Sequence, residues 1–308
     1  MTPTRDLGFG SRDSAVARTA RTWRPFAIAS ALIALAAAAI ASAQPADHRT
    51  FPTPEDAVKA LIDATRAGKL DELIAIFGPD SRELVASADP ATARQNQQVF
   101  IVAAKEKWHL EDSAANRKTL VIGNEDWPFP VPLVKDASGW RFDTAAGKEE
   151  VIARRIGRNE LETIDTCHAY VTAQRRYAAE GHDGQPAGAY AKAFRSDPGK
   201  QNGLYWPVKK GEKRSPLGDL LADADQGGAA RADQAGASPL NGYYFKILTA
   251  PAGFGLVAWP AEYNVTGVMT FQVNQDGVVV EKDLGPGTDA AARKMTAYKT
   301  DSSWRRSQ

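Results

Sequence analysis

Apolar positions recur at helical spacing from residue 54 to 67, where Ala57, Leu61 and Ala64 share a face with Val58 and Ile62 beside them. Thr53 before Pro54, with Asp56 at the third helical position, is the chemistry of a helix start, and Gly68 supplies its end. Leu70, Leu73, Ile74 and Phe77 predict a second short helix, broken by Gly78-Pro79-Asp80. Asp89-Pro90 opens a third, with Val99, Phe100, Val102 and Ala103 as its apolar face. Thr119–Ile122, Phe129–Val134 and Trp140–Asp143 then read as strands, the last two joined through Asp136-Ala137-Ser138-Gly139.

Gly147–Glu180 reads as one long helix. Ile152, Ile156, Ile164, Cys167, Val171 and Ala178 lie on one side, joined by Leu161, and Glu150–Arg154 is an i,i+4 ion pair on the exposed side. Gly181 and Gly184 end it. A loop-rich stretch runs to about Leu221, and residues 223–238 are low in complexity and read as a flexible loop. Strands follow at Gly242–Leu248, Gly255–Trp259, Gly267–Gln272 and Val278–Lys282, with a hairpin at Asn274-Gln275-Asp276-Gly277. The tail holds a short helix after Gly285 and ends near Trp304. The pattern predicts an α+β protein with a helix-plus-sheet domain over 51–146 and a second domain over 147–308.

"WPFPVP", residues 127–132, alternates prolines with large apolar groups. Proline lacks an N–H and is confined to edges and bulges of sheets, so the stretch is expected to be an edge strand closing the first sheet. Trp127, Phe129 and Val131 would then face Trp140 and Phe142 and the start of the long helix near Val151 and Ile152.

The first residues change the picture. Arg18, Arg21 and Arg24 precede an apolar run from Phe26 to Ile40, followed by Ala41-Ser42-Ala43. That order is a signal peptide over 1–43 with cleavage before Gln44, and it predicts a periplasmic or secreted protein without stable membrane insertion after cleavage. Residues 1–43 carry five Arg and two Asp, a net +3 against +1 for the whole chain, which leaves the remainder at about −2. Such a balance argues against nucleic acid as a partner. One cysteine, Cys167, provides no internal disulfide.

Three stretches carry a resemblance: "WPFPVPLVKDASGWRFDTAAGKEEVIARRIGRNELE", "AYVTAQRRYA" and "GVMTFQVNQDGVVVEKDLG". They are similar to the bacterial exported family named domain of unknown function 2950, which implies export and a two-part chain but no activity. "TPEDAVKALIDATRAGKLDELIAIFGPD" resembles the opening helices of nuclear-transport-factor-two-like domains, which implies helices packed on a curved sheet. The second part resembles the soluble domains of type IV pilins and type II secretion pseudopilins. It departs from them at the start of the long helix, where Gly147–Asn159 is too polar to sit in a bilayer as a filament core does.

Candidate chemistry is sparse. Trp127, Phe129, Trp140, Phe142, Arg154, Arg155 and Arg158 form a candidate contact surface, for a partner or between the two domains. The charges from Arg154 to Glu162 read as a solvated face and a joint. Asp223, Asp225 and Gly228 resemble the opening of a calcium loop but lack its further oxygen ligand and terminal Glu, so a solvated loop is the better reading. Cys167 lies on the apolar stripe, and the neighbouring His168 points about 100° away around the helix, which favours a core role. His48, His109, His168 and His182 lack metal-ligand spacing, and Glu125-Asp126 on a strand would point to opposite faces. No nucleotide-binding, nucleophile-elbow or zinc-protease motif occurs. The expectation is a non-enzymatic envelope protein, without cofactor, acting through contacts with another envelope protein. The alternatives are a secretion-system accessory, and a small-molecule binder or enzyme using the first domain's cavity with Phe100, Val102 and Leu120 facing inward.

Overall fold

In the computed structural model, a helical layer and an antiparallel sheet are followed by a long helix and a second antiparallel sheet, an α+β arrangement. Residues 48–85, 90–209, 211–218, 239–251 and 253–307 are described. The expected signal peptide, the loop 223–238, and Asp223 and Asp225 with it, lie outside the described residues.

Local chemistry sets the first helix, α1 (Pro54–Ala67). The Thr53 hydroxyl accepts from the Asp56 N–H at 3.1 Å and donates to its carboxylate at 2.7 Å. Gly68 closes the helix at φ 65°, a left-handed conformation that glycine adopts without strain. α2 (Leu70–Phe77), a 3-10 turn (Pro79–Ser81), α3 (Arg82–Val85) and α4 (Pro90–Glu106) complete the layer. Beneath it lie β1 (Trp108–Ala114), β2 (Arg117–Ile122), β3 (Trp127–Pro128), β4 (Leu133–Asp136) and β5 (Gly139–Phe142) in the order β1-β2-β4-β5, with β3 also on β2. Leu120, Ile122, Leu133, Trp140 and Phe142 face Ala57, Leu61, Ile76 and Phe77 in one core. Each large side chain fully buried there contributes about 1.5–3 kcal/mol.

Four expectations are corrected here. β1 was not anticipated: "WHLEDSA" is an edge strand whose outer half is exposed, so it lacks an apolar alternation. On α4, Val99 and Val102 are exposed, whereas Ala104 is buried and Phe100 and Ala103 pack on the core. Apolar residues from 99 to 104 wrap that helix, and only tertiary contact selects the inward side. Glu125-Asp126 lies in a turn, with Asp126 at φ 50° and 2.9 Å from the Lys107 ammonium, whose hydrogen bond holds that carboxyl below its usual range.

The fourth correction concerns "WPFPVP". Only Trp127–Pro128 (β3) is a rim strand, paired with β2 alone, and the stretch does not close the sheet as one strand: after it, β4 lies between β2 and β5. The ladder breaks over Phe129–Pro132, which accommodates Pro130 and Pro132. The Phe129 N–H donates toward β2, to Leu120 O at 2.7 Å. Pro128 and Pro130 therefore turn their missing donors the other way, where the Pro128 carbonyl accepts from Arg154 Nη1 at 2.8 Å and no strand requires an N–H.

α5 (Thr144–Glu180) begins three residues before Gly147, because Asp143 caps it by accepting from the Ala146 N–H at 3.2 Å. Gly147 allows the helix to press on "WPFPVP": a Cβ there would stand 2.7 Å from Val131 Cγ2. Further along, α5 crosses the second sheet, β6 (Tyr243–Ala250), β7 (Gly253–Pro260), β8 (Met269–Asn274), β9 (Val280–Asp283) and β10 (Arg305–Arg306), ordered β10-β9-β8-β7-β6. Cys167, Tyr170 and Val171 meet Tyr243, Phe254, Leu256, Phe271 and Val273 on one face. On the other face, α6 (Thr288–Lys294) and the segment after it cover Leu248, Val257 and Trp259.

Polar side chains fix α5 to this sheet. Glu160 Oε1 accepts from the Val268 and Met269 N–H groups, each at 2.9 Å, and Asn159 Nδ2 donates to Thr266 O at 2.8 Å. Gln174, fully buried, donates to Ala191 O at 2.8 Å and accepts from Ala191 N at 3.0 Å. Hence Asn159 and Glu160 are not part of a solvated charged face as expected. Leu161 is 60% exposed, because the inward stripe runs through Glu160 and Thr163 instead.

The segment following α6 crosses the sheet. Thr296 O accepts from Thr249 N on β6, Lys299 exchanges hydrogen bonds with Gln272 on β8, Ser303 accepts from Lys282 on β9, and β10 pairs along the far edge. Residues Ala46–Gln308 form one compact unit that holds these separate cores. Among the described residues, no helix is long and apolar enough to cross a membrane.

Candidate functional site

A cavity of about 320 Å³ opens between the first helical layer and the first sheet. α1 supplies Leu61 and Thr65, α2 supplies Leu70, Leu73 and Phe77, and α3 supplies Leu84 and Val85. α4 contributes Asn96, Gln97 and Phe100, the proline stretch contributes Phe129, Pro130 and Val131, and α5 reaches in with Val151. None of these side chains titrates.

Aromatic rings form one wall. The Phe129 ring stands 5.6 Å from Phe100, 6.2 Å from Trp127 and 6.3 Å from both Phe77 and Phe142. Edge-on and offset geometries of this kind favour ring contact beyond simple burial. At the opposite side the wall is polar but uncharged. Gln97 Nε2 donates to Thr65 O, one of the last carbonyls of α1, which also accepts from the Gly68 N–H at 3.1 Å. The Thr65 hydroxyl donates to Leu61 O at 2.7 Å. Asn96 is exposed beside them.

The residues expected to form a contact surface divide. Trp127, 46% exposed, lies under the Arg154 guanidinium, 5.5 Å from its ring centroid. Arg154 also pairs with Glu150 at 2.7 Å. Phe129 is half-buried in the cavity wall, while Trp140 and Phe142 are buried in the core. Arg155 and Arg158 are exposed on α5. Of the expected inward residues, Phe100 lines the cavity, Leu120 is buried in the sheet, and Val102 points outward.

Elsewhere the reactive groups are structural. Cys167 is wholly buried on α5, and burial pushes its thiol up to about 12, so no thiolate is available near neutral pH. Tyr170 and Tyr243 also lie well above the ordinary phenol range because of burial, with the Glu160 carboxylate adding to the effect on Tyr243. Among the described residues, no group of His, Cys, Asp and Glu is arranged to hold a metal. Sequence reading missed Leu70, Leu73, Gln97 and Val151 as cavity residues. The recurrence of Leu70 and Leu73 at helical spacing marked an inward face, and Val151 was expected to cover the proline stretch, but nothing local marked Gln97.

Fold and cavity together define an α+β protein with an apolar chamber under its first helical layer. The family model described as "Protein of unknown function (DUF2950)" matches residues 48–307, and the chain belongs to that family. No curated protein and no solved structure matches it.

Proposed function

We propose that the chain is an exported, non-enzymatic binding protein that takes a small apolar ligand in the cavity of its first half. One observation carries this reading: a preformed space of about 320 Å³, within the range of small-molecule pockets, walled largely by aliphatic and aromatic side chains and with no titratable one among the described residues that line it. A general acid or base has to reach the reacting atom, and the described lining residues offer none, so binding is the better reading than catalysis. The test is titration of the purified protein with 1-naphthylamine, a neutral probe of about the cavity's size that brightens in apolar surroundings. Saturable brightening is expected, and Leu73→Trp, which fills the cavity, should abolish it at an unchanged unfolding midpoint. Brightening that does not saturate, or that survives Leu73→Trp, would overturn the reading.

Export rests on the basic, apolar and small-residue order of residues 1–43, and mass spectrometry of the native protein should find Gln44 at its start. A second reading, contact with another envelope protein, is favoured by exposed Trp127 with Arg154 across its ring, since tryptophan and arginine are the residue types that dominate contact energies. A secretion-accessory role of pseudopilin type is the finer form of that reading. Its support is the long α5 laid against an antiparallel sheet. Retention of a pseudopilin by the native protein, lost in Trp127→Ala, would favour it over the ligand reading.

A further inference from the structure

We infer that the cavity selects neutral ligands whose head group donates a hydrogen bond, and that Gln97 receives it. This rests on the ligand-binding reading above. The partner of the Gln97 carboxamide is a carbonyl oxygen, Thr65 O, which can only accept. The amide nitrogen must therefore face Thr65, and the orientation is fixed by chemistry rather than by choice. With its nitrogen engaged, Gln97 has Oε1 left, an acceptor, and no described residue donates to it. Thr65 adds no competing donor, because its hydroxyl is committed to Leu61 O at 2.7 Å.

Charge sets the second half of the selection. Among the described residues, neither a cation nor an anion lines the cavity, so a carboxylate or ammonium head would lose its water with no countercharge from them to replace it. A hydroxyl or N–H head loses far less and gains Oε1. Size sets the third. At roughly 30 Å³ for a water-sized group, 320 Å³ accommodates about ten non-hydrogen atoms. The ligand class is thus a medium-chain or small aromatic alcohol, phenol or amide.

The experiment is displacement of 1-naphthylamine from the full chain by three ligands of nearly equal size: 1-nonanol, 1-methoxyoctane and nonanoate. 1-Nonanol should bind about tenfold more tightly than 1-methoxyoctane, which can accept but not donate. Nonanoate should be weaker than 1-nonanol by about a hundredfold or more. In Gln97→Leu the nonanol–ether difference should disappear while the probe still binds. Nonanoate competing as well as nonanol, or the ether matching the alcohol in the wild-type protein, overturns the inference and leaves the cavity reading standing. A tenfold preference that persists in Gln97→Leu overturns the role of Gln97. A probe that does not bind at all removes both. The wild-type comparison decides between head groups even where the variant proves unstable.

Discussion

The two sheets of this protein are covered in different ways. The second is filled on both faces: α5 brings Tyr170 and Val171 down on Phe254 and Phe271, and α6 with the segment after it seals Trp259 and Val257. Its polar side chains are committed inward, Glu160 and Asn159 to backbone at the start of β8 and Gln174 to Ala191. The first sheet meets its helices over only part of its surface, and the remaining gap is the cavity. A protein interior normally packs like an organic crystal, and space left open forfeits contact energy. A gap of this size beside a well-packed neighbour is the contrast on which the binding proposal rests, with the filled region as its scaffold.

The same substitution in the two regions tests that contrast. Phe271→Ala, in the filled sheet, should lower stability by about 4 kcal/mol, because the ring is wholly buried and its neighbours cannot close the hole. Phe129→Ala should lower it by about 2 kcal/mol, since that ring is half-buried and already borders open space, and it should weaken probe binding as well. Denaturant midpoints of both variants give the answer, and equal losses would erase the distinction between scaffold and chamber.

Alkaline pH probes the filled region alone, with a smaller effect. The Cys167 thiol ionises near 9.0 when free and near 12 in its buried site. The folded state thus keeps its proton after the unfolded state has lost it. The contribution is complete below about pH 9 and declines as pH rises toward 12, by up to about 1.4 kcal/mol per pH unit. Midpoints at pH 8, 9 and 10 should fall in the wild-type protein and fall less in Cys167→Ala. Tyr170 and Tyr243 add a decline at higher pH in both proteins. Parallel curves for the two would mean that the thiol is not sealed.

Features set by local chemistry were legible in the sequence. Thr53-Pro54 and Gly68 bracket α1, and the Asn274–Gly277 turn joins β8 to β9, because caps and turns are decided within a few residues. Features set by distant contact were not. Val99 and Phe100 are adjacent and both apolar, yet only contact with Phe129 makes Phe100 the inward one. Glu160 looked like a surface charge until β8 supplied two N–H groups for it. "WPFPVP" carried its meaning in the prolines, since Pro128 keeps its missing donor on the open side of β3, but the alternation hid the break between β3 and β4, both of which pair with β2. The cavity was the least legible part. It is drawn from α1, α2, α3, α4, the proline stretch and α5, and an empty volume leaves no residue pattern of its own.

The segment that crosses the second sheet has a consequence for the order in which the molecule is completed. It follows β6, β8 and β9 in the chain, yet it bonds to Thr249, Gln272 and Glu281 on those strands. A chain made from its N-terminus therefore holds all the main strands of this sheet before it holds their fastening. In that interval the β9 margin has unmet N–H and C=O groups, and Trp259 lacks part of its lid. Chains truncated after about residue 294 would stay in that sticky, protease-accessible condition, so these late residues act as a proof of completeness for a sheet that has no part in the chamber.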